Sequence, residues 1–110
     1  MTIPDISVSV QEWGIIQSIL SLHVPQYEIW AFGSRAKRTA KPYSDLDLAI
    51  MTREPLQPTL GAALAEAFSE SDLPYKVDVV DWSTVSAAFQ AVIARDKVVL
   101  QAHPALNPNE

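Results

Sequence analysis

Residues 32–50 read FGSRAKRTAKPYSDLDLAI, and the parsing of this stretch decides the fold. The run before it, Tyr27 to Phe32 (YEIWAF), is aromatic and β-branched, the composition of a strand. Gly33-Ser34 breaks that strand. Arg35 to Thr39 predicts one short helical turn, and Lys41 to Ser44 predicts a loop. Leu46 to Met51 (LDLAIM) is a second strand with Asp45 at its leading end. Side chains two apart on a strand share a face, so Asp45 and Asp47 project together, roughly 7 Å apart at Cα. Leu46 and Leu48 then take the buried face and hold the register.

Two neighbouring carboxylates repel, which raises the pKa of one of them. A hard divalent cation such as Mg²⁺ removes the conflict and takes oxygen ligands of this kind. Taken alone, an Asp-x-Asp is more often a solvated strand face. Gly33-Ser34 shifts the balance: a glycine at a strand end lets backbone approach a ligand closely. A helical turn opening at Ser34 aims free amides at an anion, with the Ser34 hydroxyl as a further donor and Arg35 or Lys41 as added charge. A phosphate cradle followed by a paired-carboxylate strand is far less expected by chance than either half.

Asp78 supplies a third carboxylate. It stands in the valine-rich segment Lys76–Trp82 (KVDVVDW), a third strand, where a charge needs a reason. If this strand neighbours Leu46–Met51, Asp78 reaches the pair and can accept a proton from an attacking hydroxyl. Two metal ions would then clamp an in-line displacement at phosphorus. The competing reading is an edge-strand charge or an ion pair with Lys76. Asp81, at odd spacing from Asp78, is expected to face the other way.

Outward from this centre, Ser9 and Glu12 form a capping box for a helix running to about Leu22, with Trp13, Ile16, Ile19 and Leu20 on its apolar face. Val24-Pro25 ends it. A second helix is expected from about Thr59 to Ser71, and a last one capped by Ser83 or Thr84 with Val85, Phe89, Val92 and Ile93 on one side. Val98 to Gln101 is a short fourth strand. Met1 to Ser7 is expected on the surface and residues 103–110 as a frayed tail. His23 and His103 lack ligand spacing, and Trp13, Trp30 and Trp82 suit packing. The layering is α/β, helices on a small sheet, within a single domain spanning 1–110.

Composition bounds the function. The chain has no cysteine, which excludes disulfides and thiolate metal sites and is compatible with the cytosol. No apolar run approaches a membrane span, and the first residues lack the pattern of a signal peptide. A net charge of −5 argues against general nucleic-acid binding. Yet Arg35, Lys37, Arg38 and Lys41 make up half of the 8 Lys and Arg residues, which suggests a local anionic ligand.

Gly33-Ser34, a spacer, Asp45-x-Asp47 with apolar residues after it, and a later strand Asp78 together resemble the nucleotidyltransferase superfamily of DNA polymerase β. More narrowly, the chain is similar to the minimal nucleotidyltransferases, over roughly Trp13 to Leu100. The resemblance implies that fold, with Gly33 and Ser34 at the triphosphate of ATP. It also implies Asp45, Asp47 and Asp78 as Mg²⁺ ligands, Asp78 being the base as well. Such proteins typically accompany an all-helical HEPN-type partner, in several pairs a ribonuclease toxin. The antitoxin-like role implied is transfer of AMP to a partner tyrosine, or neutralisation by binding alone. Transfer to a small molecule is a third reading, disfavoured by the missing substrate domain, and a homodimer is an alternative way to complete the site. The family commonly has glycine where this chain has Arg38. A positive φ there would strain an arginine; a regular helical turn would let it add charge near the phosphates.

Overall fold

The structure, a computed structural model, describes residues 3–102. Helix α1 spans Val10–His23, and its start obeys the capping box: Glu12 N–H donates to Ser9 Oγ at 3.1 Å and Ser9 N–H donates to Glu12 Oε1 at 3.0 Å. Strand β1 is Glu28–Phe32, the one-turn helix α2 is Gly33–Ala36, and β2 is Leu46–Met51. Helix α3 covers Pro58–Ser69, with proline in its first turn where the missing N–H costs nothing. Strand β3 is Val77–Asp81, a 3₁₀ turn spans Trp82–Thr84, α4 is Ala87–Asp96 and β4 is Val98–Gln101.

The four strands lie in the order β3-β2-β1-β4. Strand β1 pairs antiparallel with β2 and β4, whereas β2 and β3 run parallel. A parallel pair needs a crossover, and α3 provides it. In this register Asp47 lies opposite Phe32 on one side and Asp78 on the other. Cross-strand partners share a face, so these three residues form one row across the sheet.

That row lies on the less covered of the two faces. The alternate residues Leu46, Leu48 and Ile50, with Ile29 and Ala31 of β1, are buried against Trp13, Ile16 and Leu20 of α1 and Leu64 and Phe68 of α3. On the opposite face α4 packs Ile93 against Phe32 and Ala49, with Trp30, Met51, Val80 and Trp82 at the margin. Aromatic rings meet edge-to-face there, Phe32 with Phe89 at 5.7 Å and Trp30 with Trp82 at 5.3 Å.

Two expectations need correction. Ile6 is 2 % exposed and belongs to the main core, so residues 3–7 are not a free surface segment. Its neighbour Ser7 donates its N–H to the Arg35 carbonyl, which ties this segment to α2. The last helix is capped by Ser86, whose Oγ accepts from Phe89 N–H, and Ser83 and Thr84 belong to the 3₁₀ turn before it. The reason is Asp81, whose carboxylate accepts both Ser83 N–H and Ser83 Oγ–H and so tightens the chain one turn early. Val85 accordingly sits outside the helix, in extended conformation. His103 and the expected tail lie outside the described residues. No helix among the described residues is long and apolar enough to cross a membrane.

Candidate active site

The chain leaves β1 in extended conformation at Phe32 and turns at Gly33, whose φ is +74°. That left-handed value suits glycine, but space decides the matter more strictly. A Cβ at position 33 would collide with the Asp47 carboxylate, meeting Oδ2 first and Cγ at 3.3 Å. The Gly33 backbone therefore lies directly against Asp47, and the strand end and the carboxylate form one unit.

Asp47 is half-buried in β2, flanked by Asp78 across the ladder and by Asp45 just before the strand. Burial first, then the charges of Asp78 and Asp45, hold its carboxyl above the usual carboxylate range. Asp45 is exposed, and Asp78 makes an ion pair with Lys76 at 3.3 Å on the edge strand. Asp78 is thus an edge-strand charge paired with Lys76 and, in the ladder, the partner of Asp47. Among the described residues, no three His, Cys, Asp or Glu side chains converge into a ready-made metal cage. The acidic row is an open shelf with excess negative charge, a donor set that suits a hard cation sharing its coordination with other oxygens.

The basic segment divides. Lys41 and Lys37 are exposed. Ser34 is partly buried at the start of α2, and its carbonyl accepts the Thr39 N–H. Arg35, expected to add charge at the phosphates, does not face them. It is 5 % exposed, and its guanidinium donates to the carbonyls of Ser7 (2.7 Å), Ser44 (2.9 Å) and Pro42 (3.1 Å), with Lys41 at 3.5 Å. The group also stacks 3.6 Å over the Tyr75 ring. Arg38 has a φ of +62°, the one positive value among the described non-glycine residues, and its side chain pairs with Asp5 at 3.0 Å. Of the two conformations weighed for this position, the strained one is adopted.

Tyr75 escaped the sequence reading, and so did the bonds that hold Asp81. Tyr75 donates its hydroxyl to Glu12 Oε1 at 3.0 Å, and burial with this bond holds the phenol above its usual value while Arg35 works the other way. Asp81 faces away from Asp78, as spacing required, and accepts from Thr52 Oγ1 and from Leu56 N–H at 2.6 Å. Burial raises its pKa, but the bonds from Leu56, Thr52 and Ser83 outweigh it and lower the net value. No local pattern announces either partner, because Glu12 and Tyr75 are 63 residues apart.

Residues 15–104 match the family described as Polymerase beta, Nucleotidyltransferase. The chain belongs to that nucleotidyltransferase family. It is also 50% identical, over 96 residues, to the probable protein adenylyltransferase MntA of Haemophilus influenzae, spanning 87% of this chain and 84% of the relative. The fold is similar to a crystal structure of a toxin–antitoxin with AMP-PNP, at a TM-score of 0.70 and 24% identity, over 84% of this chain and 75% of that one. It is similar too to a complex of tri-AMPylated HEPN toxin with MNT antitoxin from Shewanella oneidensis, at a TM-score of 0.62 and 22% identity, over 84% and 71%. These likenesses agree with the polymerase β-like fold of the nucleotidyltransferase family, a mixed sheet with helices packed on it.

Proposed function

We propose that this nucleotidyltransferase moves AMP from ATP to a hydroxyl, a tyrosine, on a HEPN-type helical partner, and so acts as an antitoxin. The observation that carries the reading is the Asp47–Asp78 register beside the Gly33 turn. It is supported by the 50% identity to a probable protein adenylyltransferase and by fold relatives described as toxin–antitoxin pairs, one with an AMPylated toxin.

In this reading Gly33 and Ser34 receive the triphosphate, with Lys41 on the rim. Asp45, Asp47 and Asp78 would hold Mg²⁺, two ions by the logic of phosphoryl displacement, which supplies charge neutralisation at the phosphates. The acceptor oxygen attacks the α-phosphorus, forming one O–P bond as the bond to pyrophosphate breaks. Asp78, at the open edge, takes the acceptor's proton. Arg35 leaves the list of phosphate contacts, since it is buried and four of its five N–H groups are directed at main-chain carbonyls.

The test is intact mass of the protein encoded beside this chain, after incubation with ATP, Mg²⁺ and this protein. The expected result is a gain of one or more AMP units that Asp47→Asn abolishes. A second reading, neutralisation by binding alone, is favoured by the strained Arg38 in the phosphate loop. A stable complex without mass gain would select it.

A further inference from the structure

We propose that Arg35 is a positioning residue that sets the distance between the glycine turn and the first catalytic carboxylate, an inference that rests on the nucleotidyl-transfer reading above. A buried guanidinium is costly, and among the described residues no carboxylate pairs with Arg35. Where only packing is needed, an apolar side chain of similar size serves as well or better. The charge is instead distributed over backbone carbonyls and the face of Tyr75.

The choice of carbonyls is informative. Those of Lys41, Pro42 and Ser44 belong to the strap that joins α2 to β2, and Ser7 belongs to the segment leading into α1. The strap has no ladder partner. Its own ties are Lys41 N–H to Ser44 Oγ at 2.9 Å and Ser44 N–H to the Lys41 carbonyl at 3.1 Å, and Lys41, Pro42 and Tyr43 are exposed. The Ser44 carbonyl lies in the same peptide plane as the Asp45 nitrogen, so its bond to Arg35 Nε at 2.9 Å fixes the direction in which Asp45 leaves the strap. Arg35 itself stands two residues after Gly33 on a one-turn helix. One rigid planar fork therefore couples the turn that abuts Asp47 to the residue that delivers Asp45. A lysine, with one tetrahedral ammonium, cannot span these acceptors or stack on Tyr75 in the same way.

The experiment compares wild type with Arg35→Lys in the presence of the partner protein. It reads amide hydrogen exchange from Tyr43 to Leu46 and steady-state AMP transfer, at a temperature where both proteins are folded. The expected result is exchange faster by ten-fold or more at Tyr43–Asp45, with β1 and β2 unchanged. With it, kcat should fall by ten-fold or more while KM for ATP stays within about three-fold. A rise of KM without a change in strap exchange would make Arg35 a phosphate ligand and overturn the proposal. Exchange raised evenly through β1 and β2, or raised in the strap with kcat unchanged, would make it a core brace and overturn it too. If Arg35→Lys does not fold, Ser44→Ala removes the exposed tie at Lys41 and should give the same paired signature at smaller size; its absence overturns the proposal. If wild type transfers no AMP, the functional reading fails on its own, and unchanged strap exchange then still refutes the role of Arg35.

Discussion

The Asp47 carboxylate occupies the space that the side chain of any residue other than glycine would need at position 33. Two constraints that sequence presents separately, a glycine after a strand and an acid in the next strand, are one steric fact. Gly33→Ala should therefore damage both fold and chemistry. The left-handed φ of +74° costs an alanine about 1–2 kcal/mol, and relief of the clash moves Asp47. A shift near 1 Å in a catalytic group costs on the order of 10²-fold in rate, to be measured as AMP transfer at matched folded fraction.

Asp47 is itself held in an unfavourable electrostatic position. Its folded pKa is raised by burial, Asp78 and Asp45, so the folded state binds a proton more readily than the unfolded chain. Stability falls as pH rises from the ordinary value of 3.8 through the raised one, and the penalty is complete above it. Asp47→Asn should melt higher than wild type at pH 7, with the gain fading in acid, and should transfer no AMP. Added Mg²⁺ should raise the wild-type Tm and leave that of the variant unmoved.

Asp81 behaves in the opposite sense. Its folded pKa is lowered, so its contribution is fully present above the ordinary carboxylate value and is lost as pH falls through the lowered one. Asp81→Ala leaves Leu56 N–H and Thr52 Oγ1 without their acceptor and should cost about 2 kcal/mol at neutral pH. The difference from wild type should narrow below pH 4 in urea titrations.

Arg38→Gly relieves a positive φ worth about 1–2 kcal/mol, against which stands the extra freedom of a glycine in the unfolded chain. The ion pair with Asp5 is exposed on both sides and contributes little. A net gain of roughly 0.5–1 kcal/mol is expected, read as a higher urea midpoint without a change of slope.

Asp78→Asn and Lys76→Ala separate the two lives of Asp78. If Asp78 is the base of the proposed transfer, Asp78→Asn should lower AMP transfer by about 10²–10⁴-fold. Loss of the exposed Lys76 pair should change stability by no more than about 0.5 kcal/mol.

Most of the architecture was legible because it is written in local patterns. The capping box of Ser9 and Glu12, the strand Leu46–Met51 and the strand Val98–Gln101 all appear where the residues place them. The parallel pairing of β2 with β3, left open by pattern alone, joins ladder partners far apart in the chain, Asp47 and Asp78 among them, 31 residues apart. Arg35 was misread for a related reason: a basic residue beside a glycine turn gives no sign that carbonyls at Ser7 and Ser44 will claim it. The last helix began late because Asp81, a tertiary anchor, drew Ser83 into the preceding turn.

The ladder register between β2 and β3 has a consequence for how such a chain can diverge. Asp47 and Asp78 meet through strand pairing, while α3 and the linkers on either side of it pass over the opposite face of the sheet. Residues gained or lost in that crossover leave the acid row untouched as long as both strands keep step. A single-residue slip within either strand would instead turn an acid to the wrong side. Length is therefore free to drift between the strands and frozen within them, so the crossover is the natural place for new partner contacts to be grafted without disturbing the chemistry.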